Sequence, residues 1–540
     1  MADVAALARR LDERVKDRTP HENVWRECFD HSWPLRGSGL QGSDFTAQNA
    51  LDRKARLMHG IATEAGRTLA AAIVSGATPS SSVWALLKAA GSDDEGGRFL
   101  DAAGKAVHEE VHASSYDSYA FECAMDLVGA GWFVLYIDVD REIGGLTFEQ
   151  WPLAGCFVLS SKPGGRIDTI FRRYTITAEQ AVNEFGIDRV SPRVAKQYAA
   201  EPDTKVTLCH AIYPRAIHVV EAKLAKNLPF ASCHFEVDTR HELRESGYHE
   251  FPCVVPRWSL IPGTAYAVGP MMDALPDSRE LNDFLRNDRQ ASAIAVSGMW
   301  IAEDDGVLNP RTIKVGAGKV IPANSVDSMK PLIPGSNWQL ADARVSQYEA
   351  AIRRILMADQ LQPQDGPAMT ATEVHVRVGM IRQLLGPIYG RLQAEWLAPM
   401  VERCFGLMYR AGRFGMAPQS LGGSTLRVRY NNPLARAQKL EDVGAIERLN
   451  ANVLTLANLG AAGITAANAA ADIVDWDENV RAIVDGLGVP LKVSRTPERV
   501  QSLRDERAQQ QQAAQQQAQQ HELGMLAADA ATQAAAKRAA

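Results

Sequence analysis

Two long helical stretches too polar to be buried set the first limit on how this chain folds. Met271 to Val296 carries the acids Asp273, Asp277, Glu280, Asp283 and Asp288 and the bases Arg279, Arg286 and Arg289. Its apolar set of Leu275, Leu281, Phe284 and Leu285 is thin. A helix packed inside a domain needs a broader apolar stripe. Trp338 to Ala358 has Val345, Tyr348, Ile352 and Ile355 in a 3-4-3 stripe, the mark of a helix with one narrow contact face. Gly298 to Pro334, between them, is short, strand-like and turn-rich, and carries Arg311, Lys314, Lys319 and Lys330. Two helices of similar length therefore flank a compact insert, and neither helix can bury itself within one subunit.

The rest of the chain alternates between helix and strand periods. Ala47 to Ile73 is alanine-rich, with Leu51, Ala55, Met58, Ala62 and Leu69 at helical spacing, and predicts one long helix ending before Pro79. From Gly131 the period changes: WFVLYIDVD and LTFEQW, separated by Gly144-Gly145, predict a hairpin, and CFVLS with IDTIFRRYTI across Pro163-Gly164-Gly165 predicts a second. Thr177 with Gln180 has the spacing of a capping box and opens a short helix. Residues 205 to 258 read as further strand. Asp359 to Met369 is a loop by its proline and glycine content, and Thr370 with Glu373 caps a helix running to about Ala411. That helix shows Ile381, Leu385, Ile388, Leu392 and Trp396 on one face, with kinks expected at Pro387 and Pro399. Beyond Pro433 the chain is helical and alanine-rich to about Val484, and from Pro497 it becomes a glutamine and alanine tract, a marginal helix that needs neighbours.

Composition closes off several classes. The net charge of −6, from 58 basic and 64 acidic residues, is not that of a protein that grips nucleic acid by neutralising phosphates. No apolar run reaches the roughly 20 residues that a membrane helix needs. The start carries Asp3, Asp12 and Glu13 and lacks an apolar h-region, so it is not read as a signal peptide, and a cytoplasmic site of synthesis is expected. The 7 cysteines, Cys28, Cys123, Cys156, Cys209, Cys233, Cys253 and Cys404, lack C-x-x-C spacing and are expected as buried free thiols.

One motif points to chemistry. HEEVH, His108 to His112, places two histidines on one face of a helix, the arrangement by which a zincin binds its metal, with Glu109 as general base. The charged Glu110 and the lack of a third histidine at metzincin spacing weaken it, and polar helices produce the pentapeptide by chance. VGAGKV, Val315 to Val320, misses the phosphate-loop pattern because Val320 stands where a hydroxyl residue would hold magnesium. No catalytic residue, metal site or cofactor is assigned.

Six blocks in order resemble the head-to-tail connector, or portal, family of short-tailed bacteriophages. DFTAQNALDRKARLM with GATPSSSVWALL is similar to its N-terminal block. GWFVLYIDVD, LTFEQWPL and GGRIDTIFRRYTITAEQAVNEFG are similar to its wing strands, and FPCVVPRWSLIPGTAYAVGPMMDALPDSRELN to the segment entering its stem. MTATEVHVRVGMIRQLLGPIYGRLQAEWLAPMVERCF is the most specific block, and YNNPLARAQ and DENVRAIVDGLGVP are similar to its crown. Trp84-Ala85 departs from the pattern, where a second aromatic is expected, and Thr204 to Arg244 matches no part of it.

The resemblance implies a mainly helical α+β portal fold assembling as a ring, with twelve subunits as the family expectation. Residues 1–270 are N-terminal helices and an α/β wing, 271–296 the stem helix, 297–335 the clip and 336–358 the return stem helix. Residues 359–369 are the tunnel loop, 370–432 the kinked long helix and wing, 433–496 the crown, and 497–540 the Gln/Ala-rich barrel helix. Gln360, Gln362, Pro363, Gln364, Asp365 and Gly366 are expected to meet DNA in the channel, and Arg311, Lys314, Lys319 and Lys330 to meet DNA or a partner at the clip. The implied partners are double-stranded DNA, the terminase large subunit, major capsid and scaffolding proteins, a tail adaptor, and internal core or ejection proteins, with no membrane. The implied place is the portal vertex of the virion, after assembly in the host cytoplasm. Two other functions stand beside this one: a zinc-dependent hydrolase on His108, Glu109 and His112, and a capsid-associated scaffold without a channel.

Overall fold

The structure, a computed structural model, describes residues 3–40, 47–80, 83–89, 94–140, 144–218, 224–297, 299–302, 329–332, 338–361, 386, 388–418, 421, 426–430, 443–453, 455, 474–487 and 499–512. It divides into two compact units. The first comprises Met1–Ala85, Ala106–Gly415 and Asn432–Leu434, and the second the remainder.

The first unit is built on a five-stranded antiparallel meander, β4 (Cys156–Leu159), β5 (Thr169–Thr177), β6 (Lys205–Pro214), β7 (Phe230–Glu236) and β8 (Glu242–Tyr248), in that spatial order. Both predicted hairpins form. β2 (Leu135–Val139) pairs with β3 (Leu146–Gln150), Ile137 opposite Phe148, and β4 pairs with β5, Phe157 opposite Phe171. A short β9 (Cys253–Val254) completes a second sheet in the order β3-β2-β9, and β10 (Ser259–Leu260) pairs with β11 (Ala267–Val268) beyond it. The segment from Thr204 to Arg244, which matches no part of the family pattern but reads as strand, contains β6, β7 and the start of β8.

One face of the meander is covered by the N-terminal helix α1 (Val4–Asp30). Val4, Leu7, Ala8 and Leu11 follow helical spacing and pack on Phe157, Phe171, Cys209, Ala211, Cys233 and Phe235, every second residue of each strand. Arg18 fixes the helix to the sheet. Its guanidinium is 2% exposed, lies 3.8 Å over the Phe157 ring, pairs with Glu22 and donates to the carbonyls of Leu153, Ala154 and Cys156 at 2.6–2.9 Å. At one end of the opposite face sit α6 (Ala178–Phe185), opened by the expected Thr177–Gln180 capping box, and α7 (Pro192–Ala200).

The helix predicted over Ala47–Ile73 is two helices, α2 (Ala47–Ala55) and α3 (Ile61–Ala77). The period is continuous, but the backbone N–H of Met58 donates to the Asn282 side chain at 2.8 Å instead of to its own helix. Gly60, a weak helix former, then becomes the N-cap of α3. Helix α5 (Tyr116–Ala130) ends at Gly131, whose φ of +85° only glycine adopts readily, and a Cβ there would meet the backbone of Val268 and Gly269 at 2.6 Å. All seven cysteines are buried free thiols, as expected.

In the second unit β1 (Ala85–Ala89) pairs with β14 (Leu426–Tyr430). Helix 443–453 meets α12 (Trp476–Leu487) through a reciprocal amide pair, Asn450–Asn479, at 2.7 and 3.1 Å. Residues 499–512, the first part of the glutamine tract, are helical and reach α12 through Arg504–Asp477 at 2.6 and 2.7 Å.

Candidate functional site

The two polar helices form a hairpin that is buried at its root and, among the described residues, unburied beyond it. α8 (Pro270–Ser297) leads out, β12 (Met299–Ala302) pairs antiparallel with β13 (Met329–Leu332), and α9 (Trp338–Ile355) returns against α8. These bounds lie within a few residues of the predicted helices. Over its first half α8 buries Met271, Ala274, Leu275, Ser278, Leu281 and Asn282. From Asp283 to Ile294 no residue is buried. On α9 nothing from Ala341 to Ala351 is buried either, and burial resumes at Ile352 and Leu356.

The root is held by polar bonds. Besides Met58 on Asn282, the His59 imidazole reaches the Ser278 carbonyl at 3.2 Å. Burial lowers the His59 pKa, so the ring is neutral and Nε2–H donates. Arg279 pairs with Glu27 of α1 at 2.5 Å. Beyond the root Arg286 pairs with Asp283 at 3.3 Å and Arg344 donates to Gln347 at 3.5 Å. Exposed pairs of this kind contribute well under about 1 kcal/mol.

At the far end of the hairpin, Lys330 stands on β13 opposite Ile301. Arg311, Lys314 and Lys319 lie outside the described residues. At the near end the expected loop begins later than its composition implied. Leu356 is buried, Met357 takes a φ of +58°, and Ala358–Leu361 then forms a short helix, α10. Asp359 and Gln360 are therefore helical, because the first breaker after them is Pro363. Gln362, Pro363, Gln364, Asp365 and Gly366 lie outside the described residues, as do Thr370, Glu373 and Pro387. The kink expected at Pro399 takes the form of a π-helical turn over Gln393–Leu397, directly before α11 (Ala398–Arg410) with Pro399 in its first turn.

The histidine motif is helical, within α4 (Asp94–Ala113), but both ring nitrogens of His112 are engaged in structure. The Trp84 indole donates to His112 Nε2 at 3.2 Å, which leaves the ring proton on Nδ1 to face Asp117 at 2.8 Å. Neither nitrogen keeps a lone pair for a metal. His108 stacks edge-on against His112 at 4.5 Å, and the Glu110 carboxylate accepts from the Leu146 N–H at 3.3 Å. Among the described residues no group of three or more His, Cys, Asp or Glu side chains is arranged to hold a metal ion. The motif is a packing device where α4 meets α5 and β3, and the zinc hydrolase is not supported.

The family model "Bacteriophage head to tail connecting protein" matches residues 4–494. The portal protein of Salmonella phage epsilon15 is 27% identical over 529 residues, covering 93% of this chain and 91% of that protein. The probable portal protein of Bordetella phage BPP-1 is 28% identical over 530 residues, covering 94% and 91%. Among solved structures, a chain from the virion of a native gene transfer agent particle aligns with a TM-score of 0.33 and 12% identity, over 72% of this chain and 89% of that one.

Proposed function

The chain belongs to the family of bacteriophage head to tail connecting proteins and is a phage portal protein, and we propose that copies of it close into a ring at one capsid vertex through which the genome enters and leaves. The observation that carries the ring is the hairpin of α8 and α9. Two helices with no buried residue from Asp283 to Ile294 and from Ala341 to Ala351 are marginal alone, because helices gain most of their stability from packing. Side-by-side copies supply that packing, with head-to-tail contacts of the kind that generate rings. Twelve copies is the family's number.

Net acidity suits a channel that DNA passes without sticking, since each phosphate neutralised would release counterions and tighten the grip. The β12–β13 end, with Lys330 and the unplaced Arg311, Lys314 and Lys319, is the proposed dock for the terminase motor during filling and for the tail adaptor afterwards. The glutamine-rich segment from Gln360 to Gly366 is the proposed point of contact with moving DNA.

Negative-stain images of the purified full-length protein should show rings with a central hole. A protein that stays monomeric at every concentration overturns the ring. Deleting Gln362 to Pro367 should leave those rings intact and reduce packaging or retention of the genome. A deleted ring that fills and holds DNA like the parent removes the loop from the DNA path.

A further inference from the structure

The meander face turned away from α1 carries four basic side chains in one transverse row. Arg172 on β5 stands opposite His210 on β6, His210 opposite His234 on β7, and His234 opposite Arg244 on β8. Like charges directly opposite one another destabilise a sheet. The row persists because its two middle members are neutral. The imidazoles stack 3.8 Å apart at 17° and are only 5% and 7% exposed. His210 Nε2 meets the Ser232 hydroxyl at 2.8 Å. Arg244 approaches His234 Nε2 at 3.5 Å, which makes that nitrogen the acceptor and leaves the proton on Nδ1, toward the Tyr174 hydroxyl at 3.4 Å. Burial, then the neighbouring cations, lowers both pKa values, that of His234 to about 3.

This row floors an open cleft of about 490 Å³, a size suited to a small ligand. Its charges are unevenly matched. Arg172 lies over Trp151 and takes Glu149 at 2.7 Å. On α11, Arg403 and Arg410 share Glu250 at 2.6–3.0 Å. Asp138 accepts from the Tyr136 hydroxyl at 2.7 Å and lies 3.6 Å from Arg403, while the Tyr248 hydroxyl meets that of Tyr136 and His249 lines the cleft beside it. Arg244 is the exception: Glu184 of α6 stands 3.7 Å away, too far for a hydrogen bond, and burial raises the pKa of that carboxyl. One end of the row is thus a guanidinium with a distant counterion, set against a ring nitrogen that can accept a proton.

We propose that this cleft binds a doubly charged oxyanion of the phosphate or sulfate class, held between Arg244 and the rest of the Arg172–His210–His234 row, and takes up a proton as it does so. Protonating His234 with the cleft empty sets an imidazolium against two guanidinium groups. A bridging dianion turns that repulsion into charge-assisted hydrogen bonds, so binding and protonation favour each other.

Calorimetric titration of the full-length protein with sodium sulfate, at ionic strength held constant with sodium chloride, tests this at pH 5.5 and 7.5. Sulfate is a dianion at both, so any change in Kd belongs to the protein. One saturable site is expected, about tenfold or more tighter at pH 5.5, with proton uptake read from the buffer dependence of the heat. Arg244→Gln, at a half-buried position on an edge strand, should weaken it by about tenfold or more with the far-UV spectrum unchanged. Inorganic phosphate and a 5′-deoxynucleoside monophosphate, titrated in parallel at pH 5.5 and compared per dianion because both are largely monoanions there, identify the source: equal binding supports a free oxyanion, and preference for the nucleotide supports a nucleotide phosphate. The proposal is overturned by no saturable binding of any of the three, by equal sulfate affinity at both pH values, or by undiminished affinity in Arg244→Gln.

Discussion

Replacing Arg257 by alanine should cost about 3 to 5 kcal/mol of stability, the usual loss when one partner of a buried ion pair is removed. The Arg257 side chain is 3% exposed and that of Glu395 is 10% exposed. The guanidinium donates to both Glu395 oxygens, at 3.0 and 2.6 Å, and to the Gly165 carbonyl at 2.8 Å, and the Arg257 backbone N–H adds a bond at 3.1 Å. The pair joins the strand region after β9 to the π-helical turn beside the fully buried Trp396. In Arg257→Ala the carboxylate keeps only the backbone donor and stays desolvated. The double change Arg257→Met with Glu395→Met removes both charges and keeps most of the volume, and should recover most of the loss. Denaturant midpoints of the two variants check this. A single variant as stable as the parent, or a double variant no better than the single, contradicts it.

Acid should weaken the first unit well before its carboxylates are protonated. His210 and His234 are held neutral in the fold by burial and by the neighbouring arginines, with the pKa of His234 lowered to about 3. In the unfolded chain each takes a proton near pH 6.5. Folded values below unfolded ones mean that the unfolded state binds more protons as pH falls, so this contribution is complete above about pH 6.5 and declines below it. At pH 5 the loss from His234 alone is about 2 kcal/mol, and His210 adds to it in the same direction, against the 5 to 15 kcal/mol typical of a folded domain. The thermal midpoint should fall steeply between pH 7 and 5, and the fall should shrink in His210→Gln with His234→Gln. A midpoint flat over that range refutes it.

Much of the architecture was legible because it is local. The hairpins at Trp132–Trp151 and Cys156–Thr177 announce themselves by period and by glycine, and the capping box at Thr177 is a matter of three residues. The stem helices were legible through the scarcity of their apolar residues, which no buried helix tolerates. What was lost is what depends on partners far along the chain. Nothing near Met58 says that its N–H belongs to Asn282. Gln360 reads as loop only if Pro363 acts backwards, and a proline restricts the residue before it, not the third. The Arg172–His210–His234–Arg244 row exists only in register: its members are ordinary outward positions on four separate strands until the strands are aligned. The histidine motif failed in the opposite way, since its spacing was right and the nitrogens of its second histidine, His112, were committed to Trp84 and Asp117.

The α8–α9 hairpin is a cantilever. Its root is clamped by Ser278 and Asn282 against the break between α2 and α3, and from Asp283 to Ile294 it rises about 17 Å with no buried residue. Rotating such a beam by about 5° at the clamp carries its tip about 1.5 Å, enough to exchange one set of hydrogen bonds for another. Two side-chain bonds at the root therefore govern the position of the β12–β13 end, far from them. A small repacking around His59 and Asn282 moves that end without any motion within the tip itself.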